Sequence, residues 1–173
     1  MGAFEVVFKR ARMFDPQTTD LSEIVILGRL LLAVALGGVI GFEREQLDRP
    51  AGLRTHMLTA LAAAVFTVIT MELHADVLRE AGGPSSDPIR IIEAVTAGVA
   101  FLAAGAIFRS QGDVKGLTTG AGMWLAGAIG VACGVGYGIL AVMATVLAAL
   151  ILVAVRWLEA YAGTKGDDAD GAG

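Results

Sequence analysis

The stretch LTTGAGMWLAGAIGVACGVGYGILAVMATVLAALILVAV, Leu117–Val155, contains no charged residue. A helix crosses the hydrocarbon of a bilayer with about 20 apolar residues, so this run is long enough for two crossings joined by a corner. The cluster Gly130, Gly134, Gly136 and Gly138 marks the corner, between a span over about 116–135 and one over about 139–158. Toward the N-terminus, Met57–Met71 is also free of charge, and Leu21–Gly41 holds only Glu23 and Arg29. Those runs predict spans over about 21–41 and 51–73, with Pro50 suited to the first turn of the latter. A further span over about 89–108 lies between the turn-rich His74–Pro88 and the polar turn Arg109–Lys115.

The fold class that follows is all-α, a polytopic membrane helix bundle of about five transmembrane helices. Composition agrees: 55% of the 173 residues are hydrophobic and 17% charged, against about 25% charged in a soluble domain. A soluble protein with this many buried helices would lack the polar surface to cover them. The domain runs over 21–160. Ahead of it, residues 1–20 place Phe4, Val7 and Phe8 near one helical face with Lys9, Arg10 and Arg12 beyond. This suits an interfacial helix on the membrane, a frayed terminus being the alternative. The tail 161–173, with Asp167, Asp168 and Asp170, reads as disordered.

Net charge is −4, and without the acidic tail the bundle is close to neutral, so nucleic acid is not an expected partner. The only cysteine, Cys133, sits among apolar residues as an inert core thiol. Lysine and arginine in the connections set orientation. Arg44, Arg49, Arg54, Arg109, Lys115, Arg156 and Lys165 fall on one face, and Lys9, Arg10, Arg12 and Arg79 on the other. The richer face is assigned to the cytoplasm, which puts the N-terminus outside and the C-terminus inside.

Small residues recur every four positions at Gly37 and Gly41, Gly116 and Gly120, and Gly130, Gly134 and Gly138. Such rows let helix backbones approach closely where lipid offers no hydrophobic drive for association. They serve packing within the chain or, alternatively, a homodimer interface.

Charges inside a membrane cost about 2.5–3.5 kcal/mol each on insertion scales and need a partner or a task. Arg29 lies about 12 Å below the outer end of the first span, Glu93 about 6 Å below that of the third, and Glu72 at a similar level. Arg29 is therefore expected to pair with Glu93 or Glu72, the alternative being that each snorkels to water. At the inner boundary Glu43, Arg44, Arg54, Thr55, Arg109, Lys115, Thr118 and Thr119 gather where two helix N-termini open. Unpaired N–H groups and partial positive charge there suit an anion: a lipid phosphate, a partner's carboxylate or internal Glu43. A static belt of salt bridges is the bland alternative. Glu43, Asp48 and Asp113 are the weak candidates for holding Mg2+.

Four segments carry a family resemblance: GRLLLAVALGGVIGFERE (Gly28–Glu45), RPAGLRTHML (Arg49–Leu58), FLAAGAIFR (Phe101–Arg109) and VKGLTTGAGMWLAGAIG (Val114–Gly130). Together they resemble the MgtC/SapB membrane proteins over about Leu21–Leu158. The resemblance implies a bacterial inner-membrane protein linked to growth in low magnesium and, in some members, to virulence. For the virulence branch it implies a regulator that binds and restrains F-type ATP synthase rather than a pump. The family's polar positions carry over as Arg29, Glu43, Arg44, Arg54, Thr55, Arg109, Gly116, Thr119 and Trp124. Ala100 and Ala104 depart from glycines common in the family, Gly120 replaces a usual alanine, and Thr118 stands for the virulence branch's asparagine. The soluble ACT-like domain that many members append is not in this sequence.

A regulator acting through helix contacts is thus the expected function, with a magnesium or other ion transporter or channel as the alternative. The motif charges near any pore are mostly arginines, and no acidic ring crosses the membrane. An enzyme is not expected. His56 and His74 sit at opposite ends of one span, and no serine or cysteine has an evident base. His56 is expected to hydrogen-bond a neighbour.

Overall fold

The computed structural model describes residues 19–47, 49–81, 89–110 and 113–161. The expected interfacial helix, Asp48 and the tail beyond Tyr161 lie outside the described residues. In chain order the elements are α1 (Glu23–Gln46), α2 (Leu53–Ala81), α3 (Ile89–Gly105), β1 (Phe108–Ser110), β2 (Asp113–Lys115), α4 (Leu117–Val135) and α5 (Gly138–Tyr161). The all-α bundle read from the apolar runs is present. In place of a plain turn between α3 and α4 there is a small antiparallel hairpin, with Phe108 opposite Lys115 and Arg109 opposite Val114. Four helices, α1, α2, α4 and α5, are long and apolar enough to cross a membrane. With 17 residues, α3 sits at the short end of the usual range.

Burial is sorted by size, in the opposite sense to a water-soluble protein. The core is built mainly from small side chains, around the larger Ile40 and Ile129: Ala33, Ala60, Ala64, Ala126 and Ala141 have no exposed surface. Large apolar residues point outward instead, with Ile139 81% exposed, Phe101 80% and Trp157 76%. Hydrocarbon makes that surface neutral, and van der Waals packing between small residues holds the helices together.

Helices α1, α2 and α4 pack mutually at the centre, α3 lies mainly on α4, and α5 lies on α1 and α4. Glycine decides the spacing. A Cβ on Gly37 would come 2.8 Å from the His56 carbonyl oxygen, and one on Gly41 2.8 Å from the Leu53 Cα. On α4, a Cβ on Gly130 would sit 2.2 Å from the Ala60 carbonyl oxygen, and one on Gly134 2.6 Å from the Thr67 Cβ. Both rows therefore bring a neighbour against α2, which runs antiparallel to α1 and parallel to α4. Gly138 meets only the flexible end of Leu32, on α1.

Two corners need left-handed backbone, which glycine adopts without a Cβ clash. Gly116 has φ +88° ahead of α4, and Gly136 has φ +103° between α4 and α5. The α4–α5 corner closes by N–H groups of Gly136 and Tyr137 donating to the Ala132 carbonyl at 3.2 and 2.8 Å, the usual αL end of a helix.

Helix α2 continues to Ala81 rather than ending near Leu73, because no breaker appears before Gly82 and Leu78, Arg79 and Glu80 sustain the helix. Its extra turns tie down the entry to α1. Arg79 pairs with Asp20 and, at 3.5 Å, with Asp76. Glu72 accepts the backbone N–H of Leu21 at 3.2 Å and that of Asp20 at 2.5 Å.

Candidate functional site

The outer pairing expected for Arg29 does not form. Its Nη1 donates to the Gly134 carbonyl at 2.7 Å, and a Cβ at Gly136 would lie 2.7 Å from its Nη2. Arg29 therefore supplies a donor to the last turn of α4, where carbonyls lack helical partners and the helix end is partially negative. Glu72 is engaged by the backbone at the start of α1, and Glu93 is exposed on α3. The reason is topological: α4 stands between α1 and α3, so Arg29 meets a helix terminus before it could meet Glu93.

At the opposite end a cavity of about 780 Å³ opens among α1, the α1–α2 connection, β2 and the ends of α4 and α5. Of the residues anticipated at this boundary, it gathers Glu43, Arg44, Lys115, Thr118 and Thr119. Arg54 is exposed, Thr55 is half-buried, and neither lines the cavity. Arg109 belongs to β1, and the side chains of Arg109 and Asp113 are outside the described set. Trp124, at the position matching a family motif, is 54% exposed on α4. Arg49, a charge of the same boundary, and Arg156, from the far end of α5, complete the basic lining. Arg156 was legible as an inner-boundary charge, but only the packing of α5 on α1 and α4 brings it to this cavity.

The charge balance of the lining is Arg44, Arg49, Lys115 and Arg156 against Glu43. Arg44 is buried, with 6% of its side chain exposed, and lies 3.5 Å from the Glu43 carboxylate. That is the sole ion pair in the lining among the described residues. The Nε of Arg44 has no partner, and neither does the buried hydroxyl of Thr119. The contrast with the other buried threonines is informative: Thr59, Thr67 and Thr145 each donate to the carbonyl four residues back. Thr119 stands in the first turn of α4, where the chain four residues back is still strand.

The two helix N-termini at this end are treated differently. Glu45 accepts the Leu53 N–H at 2.9 Å and so places a carboxylate on the start of α2, as helix polarity favours. The start of α4 follows Gly116, which offers no side-chain cap. His56, deeper on α2, has Nδ1 2.8 Å from the Gly52 carbonyl, as expected of a histidine that bonds a neighbour. Its Nε2 is buried without a partner. Cys133 is buried as well.

The MgtC family model matches residues 30–161. This chain belongs to the MgtC family. An uncharacterized protein of Haemophilus influenzae is 37% identical over 83% of this chain and 58% of its own length. Protein MgtC of Brucella abortus is 40% identical over 78% of this chain and 54% of its own. The putative magnesium transporter YhiD of Escherichia coli is 39% identical over 72% of this chain and 57% of its own. The chain thus spans somewhat over half the length of these curated relatives. No solved structure matches it. The MgtC-family region contains every residue lining the cavity, from Glu43 to Arg156, and with its apolar helices the chain is a multi-pass membrane protein.

Proposed function

We propose that this MgtC-family protein serves adaptation to low magnesium as a regulator, through contacts with a membrane partner. By family resemblance that partner is F-type ATP synthase. The observation that carries the reading is the character of the buried polar set. Among the described residues it consists of Arg44, His56, Thr59, Thr67, Thr119 and Thr145, with no carboxylate. Magnesium takes octahedral oxygen coordination with carboxylates and waters. The cavity offers Glu43 beside four cationic side chains, and no group of three potential metal ligands occurs among the described residues. Among the described residues this donor set does not fit a divalent cation, the Asp48 and Asp113 side chains lying outside them. Outward faces remain for a partner: Gly98 and Gly105 of α3 have nothing within 4 Å of a built Cβ.

The name of the Escherichia coli relative favours a second reading, magnesium transport. Two measurements separate them. In liposomes loaded with a magnesium dye, the purified protein gives no flux above empty vesicles, while ATP synthase subunits co-purify with it from native membranes in mild detergent. Robust flux that Glu43→Gln abolishes would establish transport and end the regulator reading.

The basic cavity supports a bacterial inner-membrane topology with this end in the cytoplasm, the N-terminus outside and the C-terminus inside. Cysteine placed at Ser22 (S22C) is then labelled by an impermeant maleimide in intact spheroplasts, and cysteine at Arg54 (R54C) only after permeabilisation. The inverse pattern would reverse the orientation.

A further inference from the structure

We propose that the basic cavity binds a phosphate group, seated at the N-terminus of α4. Three independent features converge there. Helix α4 begins without a side-chain cap, leaving its first N–H groups and partial positive charge directed to the cavity end. The Thr119 hydroxyl, in a residue 1% exposed, and the Arg44 Nε are both buried donors without a protein partner. An unsatisfied buried donor is uncommon in native proteins and marks a missing ligand or water. Finally, Arg49, Lys115 and Arg156 line the same cavity and make no ion pair among the described residues.

The fold itself shows how such an end is satisfied. At the start of α2 the chain provides its own anion, the Glu45 carboxylate on the Leu53 N–H. At α4 Glu43 faces Arg44, and no other carboxylate among the described residues lines the cavity, so a bound anion takes the corresponding place. A phosphate carries enough charge and acceptor oxygens to engage the Thr119 hydroxyl, the guanidinium and the helix end together. The group belongs either to a lipid headgroup or to a soluble phosphate. The apolar wall that α5 adds through Ile151, Leu152 and Val155 matches an acyl chain leaving the headgroup along the bundle. The inference concerns ligand binding and stands apart from the regulator reading.

The single buried cysteine makes the test direct, because a thiol-reactive dye reports unfolding when Cys133 becomes accessible. Full-length protein in dodecyl maltoside is titrated with phosphatidylglycerol, with phosphatidylcholine, and with inorganic phosphate against sodium chloride of equal ionic strength. Phosphatidylglycerol is expected to raise the unfolding midpoint saturably by several degrees, and phosphatidylcholine much less, because its choline cation is repelled by the four cationic side chains of the lining. A saturable rise with inorganic phosphate instead assigns a soluble phosphate and still upholds the site. Thr119→Val keeps the side-chain shape and removes a hydroxyl with no protein partner, so the unliganded midpoint holds or rises. Its apparent affinity for the anion falls about tenfold, as does that of Lys115→Gln, a change at an exposed residue. No saturable rise with either anion, or wild-type responses in both variants, would overturn the proposal.

Discussion

Gly130→Val is expected to prevent α2 and α4 from docking and to leave little monodisperse protein after detergent extraction. Even the Cβ of Gly130→Ala would sit 2.2 Å from the Ala60 carbonyl oxygen and 2.8 Å from the Ala63 Cβ. The first of these is backbone within a helix and cannot rotate aside. Overpacking usually costs about 1–3 kcal/mol, and the valine variant exceeds that range because the helices must separate along their length. Gly28→Ala is the matched control, since nothing lies within 4 Å of a Cβ there. It should hold or raise the unfolding midpoint, alanine being favoured over glycine in a helix by up to about 1 kcal/mol. Fluorescence-detected size exclusion after heating ranks the three proteins. Equal tolerance of Gly28→Ala and Gly130→Ala would mean that α2 and α4 do not approach this closely.

Arg29→Met should lower stability by about 2–3 kcal/mol, the range for losing a charge-assisted hydrogen bond and leaving the Gly134 carbonyl unsatisfied. The effect is local to the α4–α5 corner, because Arg29 also packs against Gly136 in its left-handed conformation. Arg29→Lys keeps the positive charge at the negative end of α4 and recovers part of the loss. The exchange Arg29→Glu with Glu93→Arg separates the two accounts of this arginine. An ion pair would make the double variant more stable than Arg29→Glu alone. A helix-terminus contact gives no such rescue, and thermal midpoints in nanodiscs read the difference.

Arg29 also shows how far sequence reasoning reached. That it needed a partner at the outer level was legible from its depth in an apolar run. Carboxylates are the partners a sequence displays, because they appear in it as charges. A helix C-terminus leaves a subtler mark, the glycines at 134 and 136, which in sequence look like packing and corner residues. At the cavity end the residues are again only partly sorted by sequence. Glu43, Arg44, Lys115, Thr118 and Thr119 were anticipated together and are together. Arg54 and Thr55, equally polar and at the same level, lie elsewhere because helical phase points them away from the cavity. The internal carboxylate on a helix start is Glu45 rather than Glu43, a choice set by two residues of helical rotation.

What this amino-acid order settles alone is the all-α class and the four long apolar helices α1, α2, α4 and α5, with the position of each charge along them. Both depend on the length of an apolar run against the thickness of hydrocarbon, a property of one segment at a time. Which helices touch was decided only in three dimensions. The glycine rows on α1 and α4 look equally able to meet any neighbour, and lipid provides no gradient that favours one pairing over another. The choice falls to the summed contact of backbones at close range. That contact put α2 between the two glycine rows, gave Arg29 a carbonyl instead of a carboxylate, and carried Arg156 to the mouth of α4.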